Sequence, residues 1–514
     1  IINVKTTSGQ LNINTDQGED KVNIGSLAPS LGGTLNHIQG STTFTGGSGG
    51  TDTLVIDDSG DTTTNYSTLS ATQFIGAGMG GSITYGINHL YQGVGNIEDL
   101  NIHLGSGIDN LGIESIHANT PTEIWTAAGD DHVTVGANTQ LLNNIDARLD
   151  IDLGHGNADT LTLKDSNDNT NNAAEINPSV VTGLGMGTQS QTDMIENKSV
   201  HYLNTETLQL FTGSGVDEVN LSGSATTHTL IATNESTDHI YIHETSGTLE
   251  VQAGADNDII LLTGTLRGDA TIRGNAGDDD LWINYQDNDP SLYSDSINQT
   301  FGNAIDQYTL TLQGDTGNDD YQIGLAGFGD STINVVEQHE PESSSANGSM
   351  NIYGSNNRDF FLFRRGAIIA YPREVAEGPQ GGQATAVERV NYDGNLDAGV
   401  IVYGRGDDDM FVFDDNSSAM DVFGDDGNDI FQIGQMFKSP RDAYANLPQE
   451  DWFDTTLTTR GYLSNGISHS VSLYGGNGDD NFVVYHNLAT LGLYGENDDD
   501  KFTIRAFVEL DEGE

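Results

Sequence analysis

An aspartate set in a glycine-rich phrase returns at near-constant spacing along much of this chain, and that period constrains the fold more than any other feature. Asp217, Asp238, Asp258 and Asp279 follow one another at intervals of 21, 20 and 21. Asp409 to Asp429 and Asp480 to Asp500 are 20 each, and Asp279 to Asp319 to Asp359 are 40 each, which reads as two turns. The intervals of 50 and 51 fit two turns plus a loop of roughly 10 residues. A unit of about 20 residues cannot bury its own apolar face, so neighbouring units must stack. Around each Asp the apolar residues alternate, as in Leu281 and Ile283, Phe411 and Phe413, or Phe431 and Ile433. Alternation of period two means strands with one buried face. The fold class predicted is all-β, a right-handed parallel β-solenoid of about 20 residues per turn. Stacking at ~4.8 Å per turn over roughly 20–24 turns makes a rod on the order of 100 Å.

A longer repeat overlies the first half. Asp52-Thr53-Leu54 recurs as Asp159-Thr160-Leu161, Gly78-Met79-Gly80 as Gly185-Met186-Gly187, and Asp131-His132-Val133 as Asp238-His239-Ile240, each at an offset of 107 in the numbering. Ile97-Glu98-Asp99-Leu100-Asn101 is echoed by Thr205-Glu206-Thr207-Leu208-Gln209. A block of 107 reads as five turns of about 21. The predicted organisation is a first solenoid block over 1–110, its duplicate over 111–217, a continuation over 218–363, and a segment over 364–514 with longer surface loops at 364–398 and 434–470.

Composition narrows the function. With 18 Lys+Arg against 76 Asp+Glu the formal net charge is −58, which disfavours nucleic acid and anionic lipid as direct partners. There is no Cys, hence no disulfide and no Cys-ligated metal. Nothing approaches 18 consecutive apolar residues, so no membrane insertion is expected. The acid is mostly Asp, 54 against 22 Glu. An Asp, Asn and Gly bias belongs to turns, where hard cations also find oxygen ligands.

In a solenoid the corner Asp residues become a column about 5 Å apart, and two such charges repel by roughly 3 kcal/mol at an effective dielectric of 20. A cation between turns would relieve this, and calcium suits a corner of carboxylates, Asn amides and carbonyls. Glycines there would supply positive φ. The predicted ligands are Asp20, Asp109, Asp131, Asp159, Asp217, Asp258, Asp279, Asp319, Asp359, Asp409, Asp429, Asp480 and Asp500, with Asn318 and Asn428.

The phrases Gly475-Gly476-Asn477-Gly478-Asp479-Asp480-Asn481-Phe482 and Gly424-Asp425-Asp426-Gly427-Asn428-Asp429-Ile430-Phe431 resemble the glycine-rich nonapeptide repeat of hemolysin-type (RTX) calcium-binding proteins. The long repeated block is similar to repeats in very large secreted bacterial surface proteins of that group. The resemblance implies a β-roll-like solenoid, calcium, and an extracellular or cell-surface location. A single motif per turn replaces the family's two, so calcium is expected mainly along one edge. Several copies depart from the pattern: Asn357, Asp498 and Asp16 stand where Gly belongs, and residues 234–238 have lost their glycines.

The function expected is that of a non-enzymatic structural protein, a calcium-stiffened rod within a large surface protein, filament or appendage. The unadorned strand patterns at both ends, Ile2 and Val4 at one and Phe502 to Leu510 at the other, suggest continuation into a longer solenoid or end-to-end self-association. The acidic run Asp511 to Glu514 would modulate that stacking by repulsion. An adhesin or carbohydrate-binding segment that contacts surface glycans through its longer loops is the alternative. A polysaccharide lyase or epimerase on the same fold comes third, prompted by Arg358, Arg364, Arg365, Arg373, Arg389 and Arg405 in one stretch. No base-plus-acid constellation accompanies these arginines. The pair His239 and His243 brackets a strand pattern, so the two lie ~13 Å apart, too far to share an ion. Gly46-Gly47-Ser48-Gly49-Gly50 matches a nucleophile elbow by letters alone, with no helix pattern after it.

Overall fold

Alternating apolar residues between turn-forming Gly, Asp and Asn leave this chain one economical way to bury its surface, which is strand upon strand. The computed structural model describes residues 1–47, 49–85, 97–186, 198–284, 308–325, 331–337, 348–372 and 387–510. It is all-β with long parallel sheets. The helical residues among those described are two 3₁₀ turns, Ala443–Ala445 and Gln449–Asp451. The chain divides into two compact units, Ile1–Ala253 and Gly254–Glu514. Ser48, Arg373, the third residue of the phrase at Gly185, the 373–386 portion of the first long loop and the run Asp511–Glu514 lie outside the described residues.

Within the first unit, Ile2–Val4, Lys21–Ile24, Thr53–Asp57, Asp99–His103, Thr122–Trp125, Leu149–Asp152 and Val200–Leu203 pair in parallel, each with the next. A second sheet runs Asn65–Ser70, Asp109–Ile113, His132–Val135, Thr160–Lys164, Thr207–Phe211 and His228–Ala232, also parallel. Registers keep side chains in columns. Leu54, Leu100, Thr122, Leu149 and Val200 follow one another inside, as do Ile56, Ile102, Ile124, Ile151 and Tyr202, all buried.

The second unit repeats the scheme. One sheet holds Ile259–Thr265, Asp280–Ile283, Asp320–Gly324, Ser349–Tyr353, Gly399–Tyr403, Met420–Asp426, Val471–Asn477 and Leu491–Asn497. Its second sheet includes Asp359–Arg364, Met410–Phe413, Ile430–Ile433, Asn481–Val484 and Lys501–Ile504. Here the core is aromatic. Phe361, Phe411, Phe431, Phe482 and Phe502 stack with centroid separations of 5.2, 4.8, 4.7 and 4.8 Å. On the other sheet Tyr353, Tyr403, Phe423, Tyr474 and Tyr494 form a second, outer column of half-buried to exposed rings at 5.0, 5.2, 4.6 and 4.7 Å. These separations match the spacing of neighbouring strands.

Two expectations drawn from spacing need correction. The interval of 40 from Asp279 to Asp319 and those of 50 and 51 are single steps between adjacent strands, since Asp280 pairs with Asp320, Phe360 with Met410, and Ile430 with Asn481, whereas the 40 from Asp319 to Asp359 crosses from one sheet to the other. The extra residues are excursions. An antiparallel strand, Ala367–Pro372, is slipped between Asp359–Arg364 and Glu388–Tyr392. Residues 436–464 form a separate three-stranded antiparallel sheet of Met436–Phe437, Gly461–Ser464 and Thr455–Thr458.

The long repeated block is likewise not five turns. Thr53–Asp57 lies in the first sheet and its repeat Thr160–Lys164 in the second, while His132–Val135 and its repeat His239–Glu244 are exchanged in the opposite sense. The block contains a hairpin, with Gln73–Gly76 antiparallel between Asn65–Ser70 and Ser82–Thr84. Its residues are spent without a change of sheet, and the copy resumes in the other sheet.

Candidate functional site: the stacked aspartate corners

Each corner Asp stands where a loop enters a strand, and its carboxyl turns inward. In the first unit the Oδ1 of Asp52 accepts the backbone N–H of Asp20 at 2.9 Å, that of Asp131 accepts Asp109 at 2.8 Å, and that of Asp159 accepts Asp131 at 2.7 Å. Asp238 accepts the N–H of Asp217 at 2.7 Å. In the second unit Asp279 takes Asp258 at 2.8 Å and Asp319 takes Asp279 at 2.9 Å. Asp409, Asp429, Asp480 and Asp500 take Asp359, Asp409, Asp429 and Asp480 at 2.7, 2.7, 2.7 and 3.1 Å. The predicted Asp ligands thus assemble into hydrogen-bonded ladders, in which a carboxyl takes the main-chain N–H of the corner Asp before the paired strand.

The ladders occupy both edges. Asp20 and Asp52 precede first-sheet strands, as do Asp217 and Asp238, whereas Asp109, Asp131 and Asp159 lead into the second sheet. In the second unit Asp258, Asp279 and Asp319 serve one sheet and Asp359 to Asp500 the other. The expectation of a single acidic edge does not hold, because the corner acids change sheet between Asp52 and Asp109, between Asp159 and Asp217, and between Asp319 and Asp359.

Sequence reasoning missed how ladders end. Glu98 Oε2 accepts the N–H of Asp52 at 2.8 Å and Glu206 Oε2 that of Asp159 at 3.0 Å. The Ile97-Glu98 and Thr205-Glu206 phrases, legible as a repeat, are the longer acids that close two ladders. Asp52 and Asp238 are ladder members that the predicted ligand set omitted.

The glycines have a different reason from the one expected. Gly274, Gly314, Gly424, Gly475 and Gly495 each lie five positions before a corner Asp, and a Cβ there would overlap that Asp's Oδ2. The carboxyl fills the place of the missing side chain. Positive φ belongs to later loop positions, such as Gly277, Gly317 and Gly427. In the degraded copies non-glycine residues accept that conformation, with Asp498 at φ 75°, Asp16 at 61° and Asn234 at 71°. Asp and Asn tolerate it better than other side chains. Gly424→Ala is therefore expected to lose about 1–3 kcal/mol through overpacking. Gly406→Ala in a neighbouring loop, where a Cβ meets nothing within 4 Å, should change stability by less than about 0.5 kcal/mol. Equal urea midpoints for the two variants would contradict the packing of Oδ2 against Gly424.

Burial dominates the electrostatics. It pushes Asp109, Asp279 and Asp429 up to about 7, and Asp159, Asp319 and Asp480 up to about 6. Asp409, buried with Asp359 and Asp429 close by, rises to about 9. Hydrogen bonds from neighbouring N–H groups oppose these shifts without cancelling them. The Oδ2 atoms of Asp159, Asp279, Asp319, Asp429 and Asp480 are buried and accept no hydrogen bond. Beside Gly424 the Asp429 Oδ2 and the Gly475 carbonyl oxygen approach the same point, and Asp480 Oδ2 meets the Gly495 carbonyl beside Gly475 in the same way. A protonated carboxyl would donate across that gap.

A second, outer ladder runs one residue earlier. Asn428 donates to Asp408 Oδ1 from its backbone at 2.9 Å and its amide at 3.0 Å, and its own Oδ1 accepts Asp479 N–H at 2.9 Å. Asn318 N–H donates to Asp278 Oδ1 at 2.8 Å. The Asn428 hydrogen bonds, with Arg358 2.7 Å away, hold Asp408 below the usual carboxylate range. Asn318 and Asn428 therefore stand beside the buried column and not within it.

Among the described residues no three carboxylate or imidazole groups converge as a ready-made metal site. The acids arrive one per strand. What fits a hard cation is an orphaned Oδ2 with a carbonyl facing it, as at Asp429 and Asp480, and the remaining ligands would have to be main-chain or outer-ladder oxygens. The arginines have other work. Arg364 and Arg389 both reach Asp451 Oδ1, at 2.7 and 2.9 Å, which ties the 436–464 insert to the sheet behind it.

No protein-family model matches this chain, and no curated protein matches its sequence.

Proposed function

We propose that the chain is a non-enzymatic structural segment of a large extracellular surface protein. Each unit is a segment of right-handed parallel β-solenoid, locked at its corners by aspartates that protons neutralise at acid pH and calcium at higher pH. The observation that carries this reading is the repeated clasp, in which Oδ1 is bound to the next turn and Oδ2 is left buried and unmet. Sites of one carboxylate per turn are weak calcium sites, suited to the millimolar calcium outside cells. The role asks only that turns stay stacked, in continuation of a longer solenoid or against another copy.

The test is a thermal melt of the purified chain at pH 8 with excess chelator or with millimolar calcium. Calcium should raise the melting temperature by about 5 °C or more, since a ligand that binds only the folded form stabilises it. Superimposable curves, with metal content verified, would remove calcium from this reading.

A further inference from the structure

The outward face of the first unit's first sheet carries a groove that the corner aspartates do not explain. Its volume is about 310 Å³, at the small end of the range for ligand pockets. Two columns of outward side chains run into it, and Glu123, Trp125, Arg148, Asp150, Asp152 and His201 are among its lining. Asn101, Glu123, Asp150 and His201 are register partners in one, and His103, Trp125, Asp152 and Leu203 in the other.

Trp125 makes the groove unlike a plain charged sheet face. Its indole lies flat on the His103 imidazole, with centroids 4.3 Å apart and planes 6° from parallel. On the far side the register partner is Asp152, a side chain too small to cover an indole. The aromatic column found in the second unit is thus cut short here, and one indole face borders the groove. Asp152 is itself held in place, accepting from Gly154 N–H at 3.0 Å and the Asn204 amide at 2.7 Å.

The polar groups around the indole are fixed and incompletely used. Arg148 grips Asp150 through two nitrogens, at 2.7 and 2.8 Å. Glu123, one strand before Asp150, takes no hydrogen bond from the described residues. Burial and then Asp150 and Asp99 push its carboxyl up. His201 Nε2 is buried without a partner, and burial and Arg148 hold the ring below its ordinary range.

We propose that this groove binds a neutral sugar residue of a polysaccharide, stacked on Trp125, with Glu123 and Asp150 meeting its hydroxyls. An indole face takes the apolar C–H face of a pyranose, while carboxylates accept from hydroxyls. Glu123, Asp150 and Asp152 outnumber the single guanidinium of Arg148, which is committed to Asp150. The excess negative charge selects against uronates and sulfated sugars. The inference goes beyond the structural role and stands whether or not calcium binds.

Trp125 is one of three Trp in the chain, so Trp282→Phe with Trp452→Phe leaves it as the sole indole reporter. Neutral oligosaccharides of glucose, galactose and mannose would be titrated against this chain, with oligogalacturonate in parallel. At least one neutral series should shift the fluorescence saturably, with a dissociation constant on the order of 0.1–1 mM, and oligogalacturonate should not. Calorimetry on the native background should show Trp125→Ala weakening binding at least tenfold and Glu123→Gln several-fold, each with unchanged circular dichroism. If Trp125→Ala does not fold, Glu123→Gln and Trp125→Phe, which keeps a stacking ring, decide the matter. Absence of any neutral-sugar response, binding that ignores both groove variants, or preference for oligogalacturonate would each overturn the proposal.

Discussion

The metal-free chain is expected to melt at a higher temperature at pH 5 than at pH 8, the reverse of what most carboxylate-rich proteins do. The corner aspartates have folded pKa values above their unfolded ones, so between the two the folded state holds more protons and stability falls as pH rises. Their contribution is fully present below about 4. It is lost through about 6 for Asp159, Asp319 and Asp480, about 7 for Asp109, Asp279 and Asp429, and about 9 for Asp409. Glu337, pushed up to about 8 by burial although Tyr321 donates to it at 2.7 Å, acts in the same direction. The combined loss should be several kcal/mol, or on the order of 10–20 °C in melting temperature for units of this size.

The net charge of −58 also disfavours the compact state at high pH, but salt screens exposed charges far more than buried ones. Melts in several hundred millimolar KCl isolate the buried column. Asp429→Asn with Asp480→Asn keeps the Oδ1 acceptor and removes the ionisation, so this variant should lose part of the pH dependence and melt higher than the native chain at pH 8. A native chain that is more stable at pH 8 than at pH 5, metal-free and in salt, would contradict the account.

Phe411→Ala is the single substitution expected to cost most, about 3–5 kcal/mol. The ring is fully buried between Phe361 and Phe431, at 5.2 and 4.8 Å. Its neighbours are pinned by strand pairing and cannot close the cavity. The outer column supplies the contrast: Tyr494 is 49% exposed, and Tyr494→Ala should cost under about 1 kcal/mol. Because Met410–Phe413 pairs with Asp359–Arg364 on one side and Ile430–Ile433 on the other, hydrogen exchange in Phe411→Ala should accelerate most in those two strands. Uniform acceleration across the second unit would mean that its turns unfold as one cooperative block.

Much of this was legible in the sequence, for identifiable reasons. Period-two alternation around a recurrent Asp predicts stacked parallel strands, since neither helix nor isolated hairpin buries such a face. The carboxylate column followed from stacking alone. What spacing cannot reveal is whether an interval of 40 holds two turns or one turn with an excursion; Asp279 and Asp319 look the same either way. The exchange of sheets follows from the hairpin at Gln73–Gly76, which consumes residues without advancing the stack. The phrase Gly-x4-Asp was visible at Gly274, Gly314 and Gly424. Reading its glycine as a positive-φ residue hid the simpler cause, a carboxyl lying where Cβ would be. The groove at Trp125 was not legible, because Trp125, Asp150 and His201 are neighbours only through the registers of three strands.

The most direct test of the central claim is infrared spectroscopy of the metal-free chain, following the C=O stretch of protonated carboxyl groups from pH 4 to 10. The account predicts that this band persists in the folded protein at pH 6, well above the ordinary Asp range of about 4, and fades between about pH 6 and 9. At pH 6, millimolar calcium should weaken it as the ion displaces protons, and Asp429→Asn with Asp480→Asn should reduce its amplitude. A band that vanishes by pH 5 in the folded chain would show that the corner carboxyls are ionised, and that the clasp between turns is not held by neutral aspartates.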